Sequence, residues 1–505
     1  MSQNPPSSIV HGPSSDATVS IVVPTFNNAR LLAECLASIN KLRYPGDRLE
    51  VIVADNSSTD ETADMLRTRF PRVKHANLGK NAGFAAACNR GASAASGEYV
   101  AFLNDDAIAE PEWLNALFTG LAAGGEGTVC AASHIRSRDG REVEFSGASS
   151  NLFGVGRPRS AWGWPDSLET PGEGSPLLFA SGGAMLVHRR TFLDAGGFDP
   201  NFFAYFEDVD LGWRLWVLGY KVVYAPGAVV RHIGGATGSR SGAHRRYTLW
   251  ECNSLATILK NYESGNMEQI LTAALILLYK RALLSAGDAF DRSEYLLTAP
   301  PDTNPDNIER LPKISVAHLA AIDRLNALLP RFMEERARIQ ARRMRSDDEI
   351  LPLLGRAYEP QFAGTEYATT ALELACSLEL YDITRKGAPN RVLVLAPEEE
   401  AQSGRDLANS LAGDALVALA LVGDSASGGA ELASGSFTVH NRKSSDPALL
   451  GLIEQADAIV TFPELAQLPA LADRSAPTIT TTGTRPVEAE EADRLLQFCR
   501  QPVFW

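Results

Sequence analysis

Three clusters in this sequence carry side chains able to do chemistry. The first is the turn Asn104-Asp105-Asp106, which follows the apolar run Tyr99 to Leu103. Carboxylates at the end of a buried strand suit a hard divalent cation such as Mn²⁺ or Mg²⁺, which prefers oxygen ligands and bridges diphosphate oxygens. A solvated cap gives the same pattern, so this turn needs company. The second cluster is FFAYFEDVDLGWRLWVLGY, Phe202 to Tyr220, in which Glu207, Asp208 and Asp210 sit among aromatic residues. They stand at the start of a helix whose Leu211, Leu215 and Leu218 recur at helical spacing. Acids there gain from the helix N-terminus, which is a purely structural explanation. An aromatic setting also desolvates a carboxylate and suits it to act as a base. Composition does not rank the three.

The third cluster is basic. Between Leu211 and Trp250 there is no carboxylate, while Arg214, Lys221, Arg231, Arg240, Arg245 and Arg246 supply six cations. The later part, His232 to Tyr247, is rich in Gly and Ser and reads as a basic loop able to close over an anion. The plain alternative is a solvated basic face.

These groups need elements to position them. VSIVVP, Val19 to Pro24, is a β-branched run followed by a turn and an amphipathic stretch from Ala29 to Leu42, a strand and then a helix. A second strand, Leu49 to Ala54, ends at Asp55 before an Asn-Ser-Ser-Thr-Asp turn that caps a helix starting near Glu61. Tyr99 to Leu103 is the third strand. Strands alternating with helices imply a mostly parallel α/β sheet, and ligands gather beyond the carboxyl ends of such strands. From about Tyr247 to Tyr381 the pattern is helical, with one Pro-rich break at Ala299 to Asp306, and from Arg391 the strand-helix rhythm returns.

Composition limits the partners. A chain of 505 residues exceeds what one hydrophobic core supports, so two or three domains are expected. The net charge of -14 argues against a general nucleic-acid binder. Cys35, Cys88, Cys130, Cys252, Cys376 and Cys499 are scattered singly, which fits a reducing compartment. Met1 to Asp16 lacks a basic start and an apolar core, and reads as a flexible leader. The longest apolar run, Ile270 to Tyr279, is about half the ~20 residues of a spanning helix, so no transmembrane anchor is expected. Ile270 to Leu284 ends in Lys280 and Arg281; burial against the catalytic domain is the favoured reading, peripheral membrane contact the other.

The blocks VSIVVPTFNN, VIVADNSSTDET, NLGKNAGFAAACNRGASAASGEYVAFLNDD, SGGAMLVHRR, GGFDPNFFAYFEDVDLGWRL and APGAVVRH, in this order over about residues 18 to 260, resemble family 2 glycosyltransferases of the GT-A fold. The likeness is to rhamnosyltransferase-like members that build bacterial surface polysaccharides. It implies an α/β nucleotide-sugar-binding domain. Pro24, Thr25, Phe26 and Asp55 would border the nucleobase and ribose, with Asp55 accepting from the base edge. Asn81, Gly83 and Asn89 would lie on the donor loop, although Asn81 and Asn89 also suit turn closure. Asn104 stands where the family often has the first Asp of its DxD motif. Asp105 would be the intervening residue and Asp106 the metal-binding one, with His232 as a further ligand to Mn²⁺ or Mg²⁺. Asp208 would be the general base. Arg245, Arg246 and Tyr247 would face the diphosphate, and Gly182, Gly183, Glu207 and Trp213 the acceptor.

The resemblance further implies an inverting, single-displacement transfer to a glycan or lipid-linked acceptor, in the cytoplasm or at the inner face of its membrane. The donor expected is dTDP-L-rhamnose, with UDP-linked hexoses or galactofuranose as alternatives. The expected organisation is a leader over 1–17, a GT-A catalytic domain over 18–260, a helical extension over 261–388, and a small Rossmann-like α/β accessory domain over 389–505. A processive synthase would carry QxxRW and spanning helices, and a nucleotidyltransferase a basic Gly-rich loop near the first strand; neither pattern is present in the sequence. A catalytically inactive glycan-binding scaffold is the rival from another class, and retention of all the acids with His232 argues against it.

Overall fold

All seven residues of β1 (Val19–Thr25) are buried, as expected of a β-branched strand covered on both faces. In the computed structural model the described residues are 17–158, 171–233, 242–287 and 311–354, with shorter stretches between 357 and 480. After β1 come α1 (Ala29–Ile39), β2 (Leu49–Asp55), α2 (Thr62–Arg69), β3 (Lys74–Asn77), α3 (Phe84–Ala94), β4 (Tyr99–Leu103) and β5 (Ala107–Ala109). The chain continues through α4 (Trp113–Ala123), β6 (Thr128–Ser137), β7 (Val143–Phe145), β8 (Ala148–Ser150), β9 (Gly156–Pro158), β10 (Ala184–His188), α5 (Arg189–Asp194), α6 (Glu207–Val217) and β11 (Lys221–His232). The described helices that follow are α7 (Ala243–Asn261), α8 (Ser264–Ala286), α9 (Lys313–Gln340) and α10 (Asp347–Ile350).

The main sheet runs β3-β2-β1-β4-β10-β6-β11-β5, with β7 added on β6. β1, β2, β3 and β4 are mutually parallel, and β6 is parallel to β11. β10, however, lies antiparallel between β4 and β6, β5 antiparallel on β11, and β7 antiparallel on β6. The sheet is therefore mixed rather than mostly parallel. Antiparallel neighbours can be joined by short turns without a crossover helix, and β6 to β10 contains no helix among the described residues. In this arrangement β1, β2 and β4 end together, so Thr25, Asp55 and Asn104 meet at one edge.

The helices complete the core. α8 is a 23-residue helix, longer than the ten-residue apolar run suggested, and by length and composition alone it qualifies to cross a membrane. Ile270, Ala273, Ala274, Leu277, Leu278 and Ala282 are nonetheless buried, and Arg281 pairs with buried Glu251 on α7 at 2.5 Å. α6 is tied to α7 by a buried ion network. Asp210 Oδ2 accepts from Arg214 Nη2 at 2.7 Å and from Lys260 Nζ at 3.1 Å, and its Oδ1 accepts from Asn261 Nδ2 at 2.9 Å. Lys260 also reaches Asp199 at 2.7 Å. Burial opposes the Asp210 charge, but Arg214 and Lys260 outweigh it and hold the carboxyl below its ordinary range.

Breaking a buried pair leaves an uncompensated charge, which costs about 3–5 kcal/mol. Asp210→Ala is expected to lower the unfolding free energy by about that much, measured by urea denaturation. A loss under ~1 kcal/mol would show that the network does not hold α6 to α7. Because the folded carboxyl is depressed, this stability is present above the unfolded carboxylate range and is lost as pH falls through the folded value.

The chain divides after Arg356 into a second compact unit. Its described elements are α11 (Thr365–Ser377), α12 (Leu380–Ile383), β12 (Arg391–Pro397), β13 (Leu416–Val422), β14 (Gly429–Leu432), β15 (Phe437–Arg442), β16 (Ala458–Thr461) and β17 (Thr478–Thr480). The sheet order is β14-β15-β13-β12-β16-β17, parallel throughout except for β14. None of the residues singled out for chemistry falls in this unit.

Candidate active site

The acidic turn after β4 is built in two halves. Asp105 faces inward, where it accepts from Thr25 Oγ1 at 2.6 Å and Asn28 Nδ2 at 3.0 Å. It therefore fastens the β4 turn to the end of β1, and Thr25 is spent on the same contact. Asp106 faces His232 at the end of β11, with Oδ1 3.0 Å from Nε2. The other ring nitrogen, Nδ1, lies 2.7 Å from Glu144 Oε2 on β7. Burial works against a charged ring, but the hydrogen bonds to Asp106 and Glu144 raise the His232 pKa to about 10. The ring thus bridges the Asp106 and Glu144 carboxylates.

This donor set fits a divalent ion. One imidazole nitrogen and one carboxylate oxygen converge, and Glu144 holds the opposite nitrogen, as carboxylates commonly do behind metal-bound histidines. Among the described residues no group of three or more His, Cys, Asp or Glu side chains is placed to hold an ion unaided. Diphosphate and water oxygens would have to complete an octahedral shell. Glu144 was absent from the residues picked out by sequence. Its signal was the Asp139-Gly140 pair before an alternating REVEF segment, which reads as a hairpin. Removing such an orienting carboxylate typically lowers metal affinity 10–100-fold. Glu144→Gln should weaken Mn²⁺ binding in the presence of a nucleoside diphosphate by that factor, measured by titration calorimetry. Unchanged affinity would show that Glu144 does not orient the ring.

The three acids on α6 lie in different surroundings. Asp210 is locked in the ion network. Glu207 is buried, its Oε2 has no hydrogen-bond partner among the described residues, and burial together with the charges of Asp208 and Asp210 pushes its carboxyl well above the ordinary range. Asp208 is half-buried; Oδ2 accepts from Gly182 N at 2.9 Å and Oδ1 from Val209 N at 2.9 Å. Burial raises its pKa, while these amide contacts pull the other way. A partly exposed, anchored carboxylate with a raised pKa has the properties of a base.

Gly182 and Gly183 join this acid to the acidic turn after β4. Gly183 O accepts from Asn104 N at 2.9 Å, and a Cβ on Gly183 would sit 2.9 Å from the Asn104 side-chain Nδ2. A Cβ on Gly182 would come within 3.2 Å of the Phe84 ring and 3.5 Å of Asp208 Cβ. Both glycines thus permit close approach.

Other expected site residues are committed to the scaffold. Asp55, 1% exposed, already accepts from Ser58 N at 2.8 Å and Asn77 Nδ2 at 3.4 Å, and its Oδ2 lies 3.0 Å from His75 Nε2. Pro24 is buried, leaving Phe26 half-exposed at the strand end. Asn81 closes its own turn onto Gly83 N at 3.1 Å. Asn89 clasps Phe198, donating to its carbonyl at 2.6 Å and accepting from its amide at 2.9 Å. Trp213 is a correction to the acceptor side: it is fully buried against Tyr262, with ring centroids 4.4 Å apart, because its position on α6 faces the core.

The basic segment is only partly described, since Arg240 lies outside the described residues. Arg245 is exposed on the first turn of α7. Arg246 lies over the Trp250 ring at 5.2 Å, and Tyr247 packs between Trp250 and His318 at 5.5 and 5.6 Å. Arg246 and Tyr247 thus join an aromatic cluster beside Tyr205 and Phe206.

Residues 20–193 match the family described as Glycosyl transferase family 2. The chain is 32% identical over 250 residues to the N-acetylglucosaminyl-diphospho-decaprenol L-rhamnosyltransferase of Mycobacterium tuberculosis, covering 44% of this chain and 79% of that protein. It is 26% identical over 238 residues to the validoxylamine A glucosyltransferase of Streptomyces hygroscopicus subsp. jinggangensis, covering 40% and 52%. Among solved structures it is similar to a mannosyltransferase from Pyrobaculum calidifontis in complex with GDP-Man and Mn²⁺, at 20% identity and a TM-score of 0.38, covering 64% of this chain and 90% of that one.

Proposed function

Because the chain belongs to glycosyl transferase family 2, as a rhamnosyltransferase-like glycosyltransferase of the GT-A type, we propose that it transfers L-rhamnose from dTDP-L-rhamnose, with inversion, to a glycan or lipid-linked acceptor of the bacterial cell surface. The observation that carries this reading is Asp208: of the three acids on α6 it alone is both partly exposed and hydrogen-bonded to backbone amides flanking the site. The likeness to a relative named for an L-rhamnosyl transfer to a diphospholipid-linked sugar supports the donor and the acceptor class. Such an acceptor would place the enzyme in the cytoplasm or peripherally at the inner membrane face.

Asp208 takes the proton of the acceptor hydroxyl as that oxygen attacks the anomeric carbon from the side opposite the diphosphate. The bond from the anomeric carbon to the diphosphate oxygen breaks, its electron pair leaves with the nucleoside diphosphate, and the configuration inverts. Mn²⁺ or Mg²⁺, held by Asp106 and His232, would neutralise charge on the leaving diphosphate. Asp105, through Thr25 and Asn28, keeps the metal-side turn in place. Asn104, Gly182 and Gly183 set the spacing between that turn and the base. Arg245 supplies an exposed cation for the phosphates.

The test is a panel of nucleotide sugars incubated with Mn²⁺, reading released nucleoside diphosphate and the anomeric configuration of the product. Release from dTDP-L-rhamnose above UDP-hexoses and UDP-galactofuranose, with inversion, supports the proposal. Retention of configuration, or no release from any donor, contradicts it.

A further inference from the structure

The loop that delivers Asp208 is held in an uncommon backbone conformation. Phe203 has φ 64° and ψ −61°, and Ala204 N donates to Phe202 O at 2.7 Å, so Phe203 is the centre of a γ-turn of the strained hand. Tyr205 and Phe206 follow with φ of 71° and 63°. Three bulky residues at positive φ within four positions are unfavourable and persist only where the surroundings impose them. Here the imposing group is buried Asn253 on α7. Its Nδ2, with two N–H groups shared among three acceptors, donates toward the carbonyls of Phe202, Ala204 and Tyr205 at 3.1, 3.0 and 2.7 Å. From the other side, Ala85 N on α3 donates to Phe203 O at 3.2 Å.

This arrangement holds an aromatic ring out of the core. Phe203 is 38% exposed, although Phe202 beside it is fully buried. The Phe203 ring rests on Gly83, where a Cβ would sit 2.6 Å from a ring carbon and 2.4 Å from the Phe203 carbonyl oxygen. The next residue, Phe84, abuts Gly182, whose amide holds Asp208. The exposed ring thus belongs to the rim around the base. We propose that Phe203 is the stacking platform for the acceptor sugar, its face covering the apolar face of the ring whose hydroxyl Asp208 deprotonates. The inference rests on the reading of Asp208 as the base. The acceptor is favoured over the donor sugar because a group deprotonated by Asp208 must lie beside that carboxylate. An aromatic face offers dispersion and burial without fixing a hydrogen-bond pattern.

The test uses decyl diphospho-N-acetylglucosamine as acceptor and dTDP-L-rhamnose as donor, with donor hydrolysis in the absence of acceptor read in parallel. Phe203→Ala should raise the acceptor KM about 10-fold, equivalent to about 1.4 kcal/mol, with donor KM and acceptor-free hydrolysis within about twofold of wild type. Phe203→Tyr should restore the acceptor KM. Phe203→Gly separates function from packing: it relieves the positive φ, so its Tm should equal or exceed that of wild type while its acceptor KM rises like that of Phe203→Ala. An unchanged acceptor KM in Phe203→Ala, a rise in the donor KM instead, or a lowered Tm with normal KM in Phe203→Gly would overturn the proposal. Wild-type enzyme that hydrolyses donor but transfers nothing to this acceptor would overturn the stacking proposal and the acceptor class together, whereas normal wild-type transfer with an unaffected variant would overturn the stacking proposal alone.

Discussion

Asp208→Asn is expected to slow sugar transfer by about 10²–10⁴-fold, the usual contribution of a general base, with little change in donor affinity. The substitution keeps the size of the side chain and its oxygen, so the bond from Gly182 or Val209 can persist while the proton acceptor is lost. Glu207→Gln should cost far less. Burial and the neighbouring charges already favour the protonated Glu207 carboxyl, and a neutral amide resembles that state. Asp210→Asn would act through folding, since its carboxylate is enclosed by Arg214, Lys260 and Asn261.

The sign of the pH dependence follows from the same geometry. Burial raises the Asp208 pKa, and a base works only when deprotonated, so activity should fall on the acid side at a pH above the ordinary carboxylate range. Asp208→Asn should erase that acid limb along with the rate. Steady-state transfer measured between about pH 4 and 8 for wild type and the three variants checks this directly. Near wild-type transfer in Asp208→Asn would remove the single-displacement mechanism from consideration.

The second large effect is expected at Asp106 and His232, the proposed metal ligands. Asp106→Ala combined with His232→Ala should reduce Mn²⁺-supported turnover by about 10³-fold, in keeping with the several kcal/mol that a metal contributes to stabilising developing charge. EDTA should bring wild type to the same low rate. Because Asp106 and His232 supply only two donor atoms, Mn²⁺ should bind appreciably only with a nucleoside diphosphate present. Calorimetric titration of Mn²⁺ with and without dTDP measures this. Full activity in EDTA, or an unaltered metal requirement in the double variant, would mean that the ion does not sit between these side chains. Glu144→Gln should show a milder version of the defect, in metal affinity more than in rate at saturating Mn²⁺.

Much of this enzyme was legible in the order of its residues, because local patterns report burial and period. The runs VSIVVP, LEVIVA and YVAFL are strands in the structure, and the polar residues that follow them, Thr25, Asp55 and Asn104, lie at one end of the sheet because parallel strands share a direction. The amphipathic repeat after Asp210 placed α6 correctly, and the block order identified the family. What local pattern does not contain is the partner of each polar group. Three acids on one helix turn look alike until α7 brings Lys260 and Asn261 to Asp210 from 50 and 51 residues away, leaving Asp208 on the amide of Gly182. The same limit hid Glu144, which a hairpin carries to His232, and Asn253, which clamps the Phe203 loop. It also hid the direction of β10, since an apolar run reads the same whether its neighbours run parallel or antiparallel. Pairing across long chain separations is decided by which surfaces and charges the packed fold leaves to one another, and only the tertiary structure settles that choice.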